Sequence, residues 1–129
     1  GRLVFPHTTP DGLLVNLYGS AVELPGAAPA PKPLRHDHLP GSKGYFHGEA
    51  LAREETAPDL WVCEGAFDAL AVIAAGGRPA MAIFGVEGWR WDWWHRPRGT
   101  RLVLALDADA SGTRGWQQLA RQARLRGID

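Results

Sequence analysis

The chain has a single cysteine among its 129 residues, so Cys63 has no internal disulfide partner and no zinc ribbon or finger can be built from these residues. It has no apolar run near the roughly 18 residues that a membrane span requires, and no signal peptide opens it. A cytoplasmic protein without a membrane partner is therefore expected. It also has no net charge: 14 basic and 14 acidic residues cancel, which argues against wholesale electrostatic capture of nucleic acid. The cancellation is uneven along the chain. From Gly88 onward eight arginines (Arg90, Arg96, Arg98, Arg101, Arg114, Arg121, Arg124, Arg126) stand against Asp92, Asp107, Asp109 and Asp129, so any nucleic-acid footprint should be local and toward that end. Apolar content of 45% and charged content of 22% suit one globular core.

Two apolar stretches, residues 2–7 and 13–18, flank Thr9, Pro10, Asp11 and Gly12 and predict a β-hairpin. Between Ser20 and Gly44 glycine, proline and alanine dominate without periodicity, which predicts a loop. A helical turn is expected over 49–55, before Pro58. Downstream the pattern alternates. Residues 60–63, 79–84 and 101–106 are buried apolar runs, 67–75 has helical spacing ending at Gly76 and Gly77, and 112–126 reads as an amphipathic helix with Trp116, Leu119, Ala123 and Leu125 on its apolar side. Strands alternating with helices imply an α/β fold, a mostly parallel sheet flanked by helices on both faces, with ligands at the carboxyl ends of its strands. A small β-rich segment over 1–56 precedes this α/β part over 57–129. Ile128 and Asp129 read as the opening of another strand, so the chain is expected to be a fragment of a longer protein, cut at both ends.

Glu64 directly follows one buried run and Asp107 another, which places both carboxylates at the ligand edge of the sheet. In an extended Asp107-Ala108-Asp109 segment, side chains two apart point the same way, so the two aspartates can converge on one cation. Three such oxygen donors suit Mg²⁺ or Mn²⁺, which use few carboxylates together with waters and substrate phosphates. Gly65 and Gly112, at strand-to-helix turns, would let phosphate oxygens approach the backbone near helix amino ends. The plainer role of any one of these acids is a helix cap, which fits Asp68, one turn into a helix.

The segments CEGAFDAL at 63–70 and LALDADASG at 104–112 resemble the two signature motifs of the TOPRIM domain shared by DnaG-type primases, type IA and II topoisomerases and certain nucleases. The first motif is most similar to that of primases, and GRLVFP at 1–6 with Lys43, Gly44, Tyr45 and Phe46 resembles the primase-core segments that precede TOPRIM. The resemblance implies a fragment of a DNA primase catalytic core, bacterial, phage-borne or from a mobile element. Its reaction would be metal-dependent nucleotidyl transfer that synthesises RNA primers from nucleoside triphosphates on a single-stranded DNA template during replication. Glu64, Asp107 and Asp109 would be the catalytic and metal-binding residues, with Glu64 as third ligand or general base. Arg2 and Lys43 would help position template and nucleotide. A zinc module and any contact with a replicative helicase would lie in regions outside this chain.

Three other readings have specific features behind them. A TOPRIM nuclease would use the same acids for hydrolysis but lacks the GRLVFP and Lys43 prelude. A haloacid dehalogenase-type phosphatase shares a D-x-D strand end, but its lysine and further acids would have to follow, and the only lysines here are Lys32 and Lys43. A non-catalytic module binding single-stranded DNA or a partner is suggested by Ser20, where the primase pattern has an arginine. Between Trp89 and Arg101, four tryptophans alternate with arginines, a pattern suited to stacking bases and contacting phosphates through Arg90 and Trp91, or else to packing a short helix onto the sheet. His36, Asp37 and His38 form a polar triplet capable of metal binding in principle.

Overall fold

The computed structural model describes residues 1–22, 25, 26, 28, 35–46, 57–76, 78–94 and 99–128. The turn expected over 49–55 lies outside them, as do Arg96, Arg98 and the Trp93 side chain.

The predicted hairpin forms from β1 (Arg2–Thr8) and β2 (Leu14–Ala21), paired antiparallel from Arg2↔Ala21 to Thr8↔Leu14. Its turn is closed by side-chain chemistry: the Leu13 backbone N–H donates to Thr9 Oγ1 at 3.0 Å, and Gly12 takes φ +84 where a side chain would be strained. Phe5 and His7 on β1, with Asn16, Tyr18 and Ser20 on β2, alternate onto the buried face.

The stretch 20–44 is not simply a loop. β2 runs on to Ala21, and a third strand, β3 (His36–His38), pairs antiparallel with Tyr18, Gly19 and Ser20. Three residues are too few for an apolar alternation to show in sequence. Polar contacts hold the strand instead: Asn16 Nδ2 donates to the carbonyls of Leu39 and Ser42, each at 3.0 Å, and the Tyr18 hydroxyl meets His36 Nδ1.

The second sheet is parallel, ordered β5-β4-β6, with β4 (Asp59–Cys63) between β5 (Ala80–Ala82) and β6 (Arg101–Ala105). Helix α1 (Ala66–Gly76) joins β4 to β5, and α2 (Ala110–Leu125) follows β6. Central β4 is buried on both faces, as a parallel strand flanked by helices should be. Cys63 points into a cluster with Phe5, Tyr18, Phe46, Ala66 and Ala69, while Leu60 and Val62 point into one with Ile83, Leu102, Leu119 and Ala123. The two faces are thus covered by α1 with the hairpin on one side and α2 on the other. Reciprocal backbone bonds join the sheets: Thr8 with Tyr45, and Phe46 with Ala82.

Two apolar assignments change. Of the four residues expected on the buried side of α2, Leu119 and Ala123 are buried, but Trp116 and Leu125 are exposed. The run 101–106 is only half-buried beyond Leu102, because β6 is an edge strand among the described residues. No helix among the described residues is long and apolar enough to cross a membrane.

Candidate active site

Parallel pairing puts Cys63 opposite Ala105, so Glu64 and the Leu106-Asp107 segment leave neighbouring strands at the same end of the sheet. The strand spacing of roughly 4.8 Å sets the scale of the arrangement. The Glu64 carboxylate reaches toward the second strand end, where the Asp107 backbone N–H bonds it; its Oε2 is buried with no hydrogen-bond partner among the described residues. Burial pushes its pKa above the ordinary glutamate value, and the negative charges of Asp107 and Asp109 push it further. Asp107 and Asp109 are exposed.

Asp109 has a second task. It is the N-cap of α2, with its Oδ1 accepting from the Gly112 backbone N–H at 2.7 Å. Capping by the side chain is therefore visible at Asp109, while Asp68 sits within the first turn of α1. Gly112 is fixed by packing: a Cβ there would lie 1.9 Å from the Asp107 carbonyl oxygen, so any side chain would push the 107–109 segment off the helix start. Gly65, half-buried, opens the turn into α1, and its carbonyl accepts from Ala69.

Glu64 opens into a cleft of about 480 Å³, lined also by Lys43, Arg90, Ser111 and the turn 84–88. That turn continues the β4–β5 ladder past its last paired strand residues, with Ile83 N–H donating to Cys63 O at 3.1 Å and Phe84 N–H to Glu64 O at 2.9 Å. It then bends sharply, Phe84 at φ +53 and Gly85 at φ +112. A Cβ on Gly88 would fall 2.0 Å from the Ile83 carbonyl oxygen, so glycine is required to close it.

Of the residues singled out in the sequence, Lys43 and Arg90 share the cleft with Glu64. Arg2 does not line it; its Nη1 donates to Gly19 O at 3.3 Å, at the end of β1 remote from Thr8, roughly 20 Å away along an extended strand. Trp91 lies in the 3₁₀ turn Trp91–Trp93 and packs against the α2-side core with Trp89 and Trp94. Its Nε1 bonds Gln122 Oε1, and the Arg126 guanidinium lies 4.5 Å over its ring, so this ring serves packing rather than offering an open platform. His36 and His38 belong to β3, where His38 meets His7 edge to face at 5.2 Å.

Phe84, Ser111 and His7 were not anticipated. The glycine-bracketed sequence IFGVEG after an apolar run was the available signal for the first. Among the described residues no three of His, Cys, Asp and Glu are grouped tightly enough to hold a metal ion by themselves. The acids fit instead a hard divalent cation that keeps several waters and takes one or two carboxylates together with substrate phosphates.

These strand ends define an α/β protein with an acidic edge, and comparison with known families places it. The Toprim domain family matches residues 59–129, more than half of the chain, and the chain belongs to that family. Among solved structures, the chain is similar to the primase of Aquifex aeolicus, in a structure comprising its zinc-binding and RNA polymerase domains. The similarity covers 98% of this chain and 32% of that one, with a TM-score of 0.64 and 16% sequence identity. It is a likeness of fold, and the chain spans about a third of that primase's length. It extends over the hairpin as well as the parallel sheet. No curated protein matches the chain.

Proposed function

We propose that this chain forms part of a primase catalytic core, joining nucleotides into RNA primers on a single-stranded DNA template. The observation that carries the reading is the electrostatic state of Glu64. Glu64 is half-buried, its Oε2 is buried without a partner, and two further carboxylates crowd it, in a cleft that also holds Lys43 and Arg90. Such an arrangement is unfavourable alone and becomes favourable once cationic charge enters.

Mg²⁺ or Mn²⁺, when bound, supplies charge neutralisation for the triphosphate and for the attacking and leaving oxygens. Asp107 and the Asp109 oxygen not used in capping would hold it. Glu64, its pKa raised by burial and by Asp107 and Asp109, would take the proton from the attacking 3′-hydroxyl as that oxygen bonds the α-phosphorus and pyrophosphate departs. Lys43 and Arg90 would contact the phosphates from the cleft wall. The fold likeness to a primase across both the hairpin and the parallel sheet favours synthesis over hydrolysis by the same acids. Helicase contacts would come from outside these residues.

The test is primer synthesis by the full-length protein carrying Glu64→Gln or Asp107→Asn. Both should lower synthesis by about two orders of magnitude or more with an unaltered circular dichroism spectrum. Undiminished synthesis in either variant would sink the assignment, and nicking of DNA without nucleotides would select the nuclease.

A further inference from the structure

Phe84 is the one described residue other than glycine held at positive φ, +53, in the region that L side chains avoid. An aromatic residue persists there only when its surroundings fix it. They do so on several sides. His7, with no exposed surface, stacks on the Phe84 ring at a centroid distance of 3.8 Å and an interplanar angle of 11°. Tyr18 leans on it at 5.1 Å and His38 meets it edge-on at 5.6 Å. The backbone N–H of the same residue is tied to the Glu64 carbonyl at 2.9 Å. Half-buried, Phe84 lines the cleft together with Glu64, Lys43 and Arg90.

The outcome is a rigid apolar surface beside the carboxylate, in a cleft whose other prominent groups are charged. Phe84 packs against the core of Phe5, Tyr18 and Phe46 yet stays half-buried at the cleft. We infer that Phe84 is a substrate-positioning residue, the surface on which a nucleobase packs while Lys43 and Arg90 take phosphate and the acids take the metal. This rests on the nucleotidyl-transfer reading and adds what that reading leaves open, namely which group receives the base. The base comes either from the incoming nucleotide or from the single strand; both present the same flat apolar face.

The two sources separate in a saturation-transfer NMR experiment on deuterated protein with protonated phenylalanine. ATP with Mg²⁺ is one arm and a short oligothymidylate the other. Irradiating the phenylalanine rings should carry saturation to the base protons in at least one arm. Phe84→Leu should abolish the transfer and weaken that ligand about five- to a hundred-fold, the usual loss for one stacked base. Phe84→Tyr should restore it, and Phe67→Leu, on the exposed face of α1, should leave it unchanged. Binding seen by phosphorus shifts, without transfer or with undiminished affinity in Phe84→Leu, would overturn the inference and leave nucleotidyl transfer standing. Failure of both ligands to bind would overturn both.

Discussion

Asp109 caps a helix and, in the proposed function, would also hold a cation, and the two tasks can be separated. Its Oδ1 accepts from Gly112 N–H at 2.7 Å, an interaction worth about 1 kcal/mol when the cap is replaced by alanine. Its charge acts in the opposite direction by raising the energy of ionised Glu64. Asp109→Asn keeps the acceptor and removes the charge; Asp109→Ala removes both. Without divalent cations at neutral pH, the asparagine variant should melt at or above the wild type and the alanine variant roughly 3–5 °C below the asparagine variant, as about 1 kcal/mol implies for a domain of this size. With Mn²⁺ added, paramagnetic broadening of amide resonances around Glu64 and residues 107–112 should be present in the wild type and lost from both variants. Equal melting of the two variants would refute the cap. Undiminished broadening in Asp109→Asn would refute the metal role and leave Asp109 as a cap alone.

Because the Glu64 pKa is raised above the ordinary 4.5, its ionised form destabilises the folded chain at pH values above the raised pKa, and the penalty fades as pH falls through it. Glu64→Gln should therefore melt higher than the wild type at neutral pH without cations, with Mg²⁺ stabilising only the wild type; a lower melting temperature for the variant would contradict this. His7 titrates in the other direction, its pKa lowered from 6.5 to about 4, first by burial and then by the charges of His38 and Lys43. Its contribution is complete above 6.5 and lost as pH falls toward 4, up to roughly 3 kcal/mol, so His7→Leu should flatten the acid limb of a denaturation profile, and an unchanged limb would exclude it. Asp59→Ala removes the partner of Arg101 at 3.3 Å and Arg78 at 3.6 Å; because both guanidinium groups are more than half exposed, the loss should be about 1–2 kcal/mol in urea denaturation. An unmoved midpoint would show those pairs to be idle.

The elements with a full period were legible in the sequence. The hairpin, β4, the two helices and the parallel order follow from apolar spacing and turn residues, and Glu64 and Asp107 were placed at strand ends on that basis alone. What escaped was held by other forces. β3 is three residues fixed by Asn16 and Tyr18, too short to carry a period. The cap fell on Asp109 because the chain turns into α2 immediately after the D-x-D segment, and the unanticipated reason for Gly112 is a carbonyl approach that depends on that turn. Trp116 and Leu125 have core-like spacing but are exposed, β6 being an edge strand among the described residues. Phe84 could not be found by periodicity at all, since its placement depends on a left-handed backbone and on His7, distant in sequence.

One strand carries the strongest argument for function. β4 begins at a buried carboxylate, Asp59, and is followed directly by a second acid with a buried oxygen, Glu64. At its amino end Arg78 and Arg101 approach Asp59 Oδ2 from the segments beside it, while Asp59 Oδ1, like Glu64 Oε2, is buried without a hydrogen-bond partner. At its carboxyl end the neighbouring segments bring Asp107 and Asp109 instead, and no arginine or lysine forms an ion pair with Glu64 among the described residues. Among the described residues, arginine is thus paired with the acid at the amino end of β4 and not with the one at its carboxyl end. In the proposed reading a bound divalent cation supplies positive charge beside Glu64, and the left-handed turn at Phe84 lines the same cleft. The cleft proposed to receive the nucleotide thus gathers a carboxylate with a raised pKa and an aromatic residue at positive φ, local costs of the kind that binding sites carry.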